Sequence, residues 1–122
     1  MKEIIAIIRP KMVSATKAAL EELGFPGITA MAVLGRGRQR GIGSEVGFSI
    51  ETELLAKAKS GGMKYVPKRY VSLVVPDGKV DEVVDRIVEV NQTASVGDGK
   101  IFVVPIEDAV RVRTGESGES AL

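Results

Sequence analysis

Hydrophobic positions in this chain fall into short runs whose spacing switches between the periods of strands and helices. Residues 4–8 (Ile-Ile-Ala-Ile-Ile) are apolar at every position and mostly β-branched, the pattern of a strand covered on both faces. Pro10 closes that run. Ser14 is placed to cap a helix carrying the stripe Ala15, Ala19, Leu20 and Leu23, and Gly24 supplies its left-handed stop. After the turn Pro26-Gly27, residues 28–34 predict a second strand, and residues 70–75 a third. Pro76-Asp77-Gly78 then turns the chain into a second helix, read from Val80, Val83, Val84, Ile87 and Val88, with Asp77 as its cap. Gly97-Asp98-Gly99 leads into a last strand over residues 101–104.

The order is β-α-β, a long loop, then β-α-β. It predicts one α+β domain over residues 1–122, a ferredoxin-like split βαβ sheet (βαββαβ) with both helices on one face and a C-terminal extension. The strands are apolar on both sides, and two helices cover only one face, so a symmetric oligomer is expected to cover the other. Between the second and third strands the pattern breaks down. Five glycines lie from Gly35 to Gly47 and a doublet sits at Gly61-Gly62, with helix formers over residues 52–59. A loop longer than about 15 residues in a small domain points to a contact or ligand role.

Composition narrows the chemistry. The 44% of hydrophobic residues include only 4% aromatics, so the core is aliphatic. Seventeen basic and 16 acidic residues leave a net charge of +1, and no overall field draws the chain to nucleic acid or a membrane. The absence of Cys excludes disulfides, thiolate zinc sites and a cysteine nucleophile, and the absence of His removes the commonest general base and transition-metal ligand. The N-terminal apolar run is too short for a signal-peptide core or a membrane span, so a soluble cytoplasmic protein is expected.

Local clusters carry the remaining chemistry. Gly35-Arg36-Gly37-Arg38-Gln39-Arg40-Gly41 follows a strand, joining backbone donors that can cradle an anion to three guanidinium groups. Gly97-Asp98-Gly99-Lys100 resembles half of a phosphate-binding loop, but Ile101 stands where the full motif needs Ser or Thr. In Arg111-Val112-Arg113, strand alternation would send both guanidinium groups to one side as a fork for phosphate oxygens. Lys68-Arg69 adds a fourth basic site. Each also has a plain reading as a basic turn or a solvated edge. Their convergence at strand ends, within a subunit or across an interface, would suit a triphosphate. No carboxylate pair or activated nucleophile accompanies them, so binding without turnover is expected. An RNA-binding module is the alternative from another class, but base-stacking sheets need aromatics that are scarce here.

The opening MKEIIAIIRP, GRGRQRG after the second strand, VPKR before the third, and VGDGKIFVVPIEDAVRVRTGE together resemble the P-II family of nitrogen-regulatory signal-transduction proteins. The resemblance covers nearly the whole chain. It implies a homotrimer of ferredoxin-like subunits with a T-loop, here residue 37 to about 65. It also implies ATP or ADP sites between subunits, with 2-oxoglutarate joining Mg-ATP.

Carried onto this chain, Gly37, Arg38 and Gln39 match the phosphate-touching base of the T-loop, and Gln39 also helps hold Mg2+ beside 2-oxoglutarate. Lys68 matches the lysine that pairs with the 2-oxoglutarate carboxylate, so Lys68→Ala is expected to lose that response and keep most ATP affinity. Gly97, Asp98, Gly99 and Lys100 match the phosphate-binding loop, with Gly97 also near 2-oxoglutarate. Arg111 and Arg113 match the phosphate arginines, and Thr29, Gly35 and Val74 align with the adenosine pocket. The loop middle, IGSEVGFSIETELLAKAKSGGMK, holds no tyrosine for uridylylation. The loop's length, with GFPGITA, MKYVPKR and VNQT, is similar to the branch encoded beside nitrogenase genes. Members of that branch bind the dinitrogenase component directly, often with a shorter-looped sister P-II protein, and are relieved by 2-oxoglutarate. An ammonium transporter is the alternative partner within the family, and nucleic acid is not expected as a partner.

Overall fold

A computed structural model describes residues 1–37 and 65–122. The first apolar run becomes strand β1 (Lys2–Ile8), and its uniform hydrophobicity resolves into two faces. Ile4, Ala6 and Ile8 are buried on one side, while Ile5 and Ile7 are half-buried on the other. Pro10 opens a 3-10 turn (Pro10–Met12) that runs straight into helix α1 (Val13–Glu22). Its fixed φ starts the helical backbone before Ser14 is reached. Ser14 therefore lies inside the helix, exposed, and does not cap it; the residue at the cap is Met12. Gly24 does end the helix as expected. Its φ is +91, its N–H donates to Glu21 O at 3.0 Å, and the N–H of Phe25 donates to Leu20 O at 2.9 Å. These two bonds make a Schellman stop, for which only glycine adopts the left-handed backbone without strain.

Strand β2 (Thr29–Gly35) and strand β3 (Val66–Val75) follow, then a 3-10 turn (Asp77–Lys79), helix α2 (Val80–Asn91) and strand β4 (Gly99–Pro105). Asp77 is not the cap of α2 either. Its carboxylate takes the N-terminal ammonium at 3.0 Å and Lys2 Nζ at 3.5 Å, tying the start of the chain to this turn. Among the described residues the strands form one sheet in the order β2-β3-β1-β4, with β1 antiparallel to both β3 and β4, and β2 antiparallel to β3. This is the ferredoxin-like arrangement the element order predicts.

Both helices pack on the face that carries Ile4, Ala6 and Ile8 of β1 and Val71, Leu73 and Val75 of β3, closing the core with Leu20, Val83 and Ile87. One polar tie crosses it. Asn91 Nδ2 donates to Thr16 Oγ1 and to Ile87 O, both at 2.9 Å, and Thr16 Oγ1 donates to Met12 O at 2.7 Å. Val88, placed on the apolar stripe by spacing, is instead exposed, and Asn91 takes the buried turn below Ile87.

The opposite face of the sheet carries rows fixed by the strand registers. One row is Met31, Tyr70, Ile7 and Lys100; the next is Thr29, Ser72, Ile5 and Phe102. Met31 and Phe102 are about half exposed in the single chain.

Two further departures matter for the site. Strand β3 starts at Val66, four residues before the expected position, so Lys68 and Arg69 are strand residues. The register with β1 ends at Arg69, so among the described residues β2 is the only strand neighbour of 66–68, where a proline lacking an N–H is tolerated. Residues 111–113 do not form a strand. Val110 makes an isolated bridge to Ser117, and the N–H groups of Thr114 and Gly115 turn back to Arg111 O at 3.3 and 2.7 Å. Alternation over three residues without a neighbouring strand is too little to hold extended backbone. No helix among the described residues is long and apolar enough to cross a membrane.

Candidate functional site

The register Gly35↔Val66 brings the end of β2 against the start of β3, so the two ends of the intervening segment lie side by side. Ile7↔Lys100 and Ile8↔Gly99 bring the start of β4 to the same end of the sheet. A cleft of about 310 Å³ opens there. Gly35, Arg36 and Gly37 form one wall, Gly97, Gly99 and Lys100 another, and Lys68 lies between them over Ile7, Val66 and Phe102. Two of the basic clusters singled out in the sequence, and the lysine between them, therefore meet within one chain.

Lys68 is 8% exposed, and its Nζ donates to Gly97 O at 2.6 Å. Its stem runs past Gly35, where an added Cβ would stand 3.6 Å from Lys68 Cγ. The ammonium thus bridges β3 and the turn before β4 at the mouth of the cleft.

That turn is built from unusual backbone. Gly97 and Gly99 have φ of 101 and 119, which glycine adopts readily, while Ala94 has φ of 63, a conformation costly for a residue with a side chain. Gly99 approaches β1 so closely that a Cβ there would sit 2.1 Å from Ile7 O. Asp98 turns its carboxylate away from the cleft and braces the turn. Oδ1 accepts from Arg9 Nη1 at 2.6 Å and from the Thr93 hydroxyl, and Oδ2 accepts from the N–H groups of Thr93 and Ser95 at 2.6 and 3.3 Å. What the turn offers the cleft is glycine backbone and Lys100, without a carboxylate that would repel an anion.

The two bonds from Thr93 chiefly hold the Asp98 carboxyl well below the ordinary carboxylate range; burial opposes them, and the bonds from Arg9 and Ser95 add smaller lowering effects. A carboxyl lowered on folding stabilises the fold above its unfolded pKa, and that contribution drains away as the pH falls through the folded value. Asp98→Asn is therefore expected to lower the urea midpoint at pH 7, with the deficit shrinking as the pH is taken below about 4. An equal deficit at pH 7 and pH 3 would deny the carboxylate this role.

The other residues singled out in the sequence lie elsewhere. Thr29 is at the far end of β2 from Gly35, about 20 Å away at roughly 3.3 Å per residue, and Val74 is similarly far from Lys68 along β3. Both are on the sheet face away from the helices, in register rows with Ile5 and Glu3. The Arg111 guanidinium is held by the Glu116 carboxylate at 3.1 Å and by the carbonyl groups of Ser120 and Leu122 at 3.2 and 3.3 Å. Arg113 is exposed on the neighbouring turn. Neither arginine lines the cleft of its own chain. Arg38, Gln39 and the helix expected over residues 52–59 lie outside the described residues, as does most of the T-loop.

Sequence reasoning passed over Arg9 and the apolar floor. Arg9 looks like a charge that merely ends a strand, and nothing local marks it as the partner of a residue 89 positions away.

The cleft residues fit a polyphosphate: two ammonium groups, glycine backbone open to close approach, and an apolar floor. Comparison with known proteins shows the family. The family described as nitrogen regulatory protein P-II matches residues 1–116. The nitrogen fixation nifHD1 region GlnB-like protein 2 of Methanosarcina barkeri is 55% identical over 122 residues, spanning all of this chain and 99% of its own. A nifHD region GlnB-like protein 2 from Methanobacterium ivanovii is 58% identical over the same span. Nitrogen regulatory protein P-II 2 of Methanothermobacter thermautotrophicus is 44% identical, over all of this chain and 97% of its own. Alike over its full length and built on the same ferredoxin-like sheet, the chain belongs to the P-II family of nitrogen regulatory proteins, which are regulators rather than enzymes.

Proposed function

We propose that this chain is a nitrogen-status sensor that binds ATP or ADP, takes up 2-oxoglutarate together with Mg-ATP, and inhibits nitrogenase by direct contact of its T-loop. The observation that carries the reading is the meeting of both ends of the loop segment with the Gly97–Lys100 turn at one cleft. Lys68 and Lys100 supply positive charge for phosphate or carboxylate oxygens, and the glycines supply backbone donors. Mg2+ would neutralise phosphate charge when bound, with Gln39 as its protein partner.

A ligand shifts loop behaviour only through its different affinity for the two loop states. Lys68 can provide such a difference, because it lies near the start of the strand after the loop and bonds the Gly97–Lys100 turn. 2-Oxoglutarate drawing on that ammonium would change the tie between the two elements, and so release the partner.

The reading includes a homotrimer. It would cover the half-exposed face bearing Met31, Tyr70 and Phe102, and would give Thr29, Val74, Arg111 and Arg113 a neighbouring cleft to complete. The names of the relatives from nitrogen fixation regions favour the dinitrogenase component over an ammonium transporter as partner. The chain, alone and with a shorter-looped sister P-II protein, should co-purify with dinitrogenase in ADP or Mg-ATP and be displaced when 2-oxoglutarate joins Mg-ATP. Retention by an ammonium transporter and not by dinitrogenase would overturn the nitrogenase reading.

A further inference from the structure

The Gly97–Lys100 turn is gripped from two sides. On the cleft side Lys68 Nζ takes Gly97 O at 2.6 Å. On the other side Arg9 Nη2 takes Val96 O at 3.0 Å, while Nη1 takes Asp98 Oδ1 at 2.6 Å. Successive carbonyl groups of the turn thus point to different cations. The two cations differ in what they are free to do. Lys68 lines the cleft, where a ligand can compete for its ammonium, whereas Arg9 is 8% exposed and absent from the cleft wall. The planar guanidinium reaches a carboxylate and a carbonyl through two separate nitrogens in a fixed fork, whereas a lysine would have to serve both from a single point. Ala94, a non-glycine residue at φ of 63, is held in a costly left-handed backbone just before the turn, and an external hold helps keep it there.

We propose that Arg9 is a positioning residue for nucleotide binding: by holding Val96 O and Asp98 it keeps the Gly97–Lys100 backbone in its binding shape while Lys68 is given over to a ligand. The inference rests on the nucleotide reading above. The test is calorimetric titration of Mg-ATP into the full chain and its Arg9→Ala, Arg9→Lys, Asp98→Ala and Arg9→Ala/Asp98→Ala variants, at a temperature where circular dichroism shows each folded.

Arg9→Ala should weaken ATP binding roughly tenfold, in line with other residues that orient binding groups from behind. Asp98→Ala should do much the same. The double variant should lose little more than either single one, because both act through the same turn. Arg9→Lys should recover part of the affinity, since it restores the charge beside Asp98 but not both bonds. A merely structural Arg9 would lower the melting temperature and leave ATP affinity in the folded variants unchanged. Wild-type affinity in Arg9→Ala overturns the inference. If Arg9→Ala does not fold, wild-type affinity in Arg9→Lys overturns it instead. Failure of the unaltered chain to bind ATP would be a different result, defeating the nucleotide reading and this inference with it.

Discussion

Gly99→Val is expected to destabilise the fold by about 3–5 kcal/mol, enough to lower the melting temperature by about 10–20 °C in a domain of this size. Two independent costs add. The backbone at Gly99 has φ of +119, a region that β-branched residues avoid, and forcing a side chain there costs about 1–3 kcal/mol by itself. The added Cβ would also stand 2.1 Å from Ile7 O, against main chain that cannot swing aside as a flexible side chain can. Relief requires β1 and β4 to part where Ile8 pairs with Gly99, which disturbs the strand that carries Ile4, Ala6 and Ile8 into the core. Gly78 is the control, for nothing lies within 4 Å of its added Cβ. Thermal unfolding followed by circular dichroism should show Gly78→Ala melting close to wild type and Gly99→Val far below. Near-equal melting of the two would mean that the close approach is not a constraint on this fold.

Lys68→Met is expected to remove the 2-oxoglutarate response. Methionine keeps an apolar stem beside Gly35 but deletes the ammonium, so packing is spared and charge is lost. A charge-assisted hydrogen bond contributes about 1.5–3 kcal/mol, which corresponds to about 10–100-fold in affinity for a carboxylate ligand. Reading residues alone leads to the expectation that ATP affinity stays mostly intact in such a variant. The bond from Nζ to Gly97 O adds a smaller effect: ATP binding should weaken too, by less, because one of the two grips on the Gly97–Lys100 turn is gone. Titrating 2-oxoglutarate and Mg-ATP separately into the variant distinguishes these effects. Unchanged 2-oxoglutarate affinity would remove Lys68 from the mechanism.

The sheet and helices were legible because their signals are local. The β-branched run of β1, the 3.6-residue spacing of α2 and the glycine stop at Gly24 each announce one element without outside help. The errors arose where neighbours decide. Pro67 beside Lys68-Arg69 looks like loop, yet it extends β3 where, among the described residues, β2 alone lies alongside. Ser14 has the chemistry of a cap, but Pro10 had already begun the helical turn. Asp77 was drawn to the N-terminal ammonium, a partner that no spacing rule reveals. Arg111-Val112-Arg113 alternates like a strand but has none to pair with among the described residues, and it folds into a turn closed by its own C-terminal residues.

The site was partly legible for the same reason. Glycine and lysine clusters could be read directly as anion-binding chemistry, and the topology then brought two of them together. Asp98 could be recognised as part of the loop, but not as its brace, because that role belongs to Arg9 at the other end of the chain. Glycines that serve close approach and those that serve a turn look alike until the backbone shows that Gly99 does both.

The central claim is that one cleft binds a nucleotide and, with it, 2-oxoglutarate. Calorimetric titration of 2-oxoglutarate into the purified chain, with and without Mg-ATP, tests this most directly. The account predicts heat of binding only when Mg-ATP is present, and its loss in Lys68→Met. No binding under either condition, with Mg-ATP itself bound, would contradict the account and leave a switch that senses nucleotide alone.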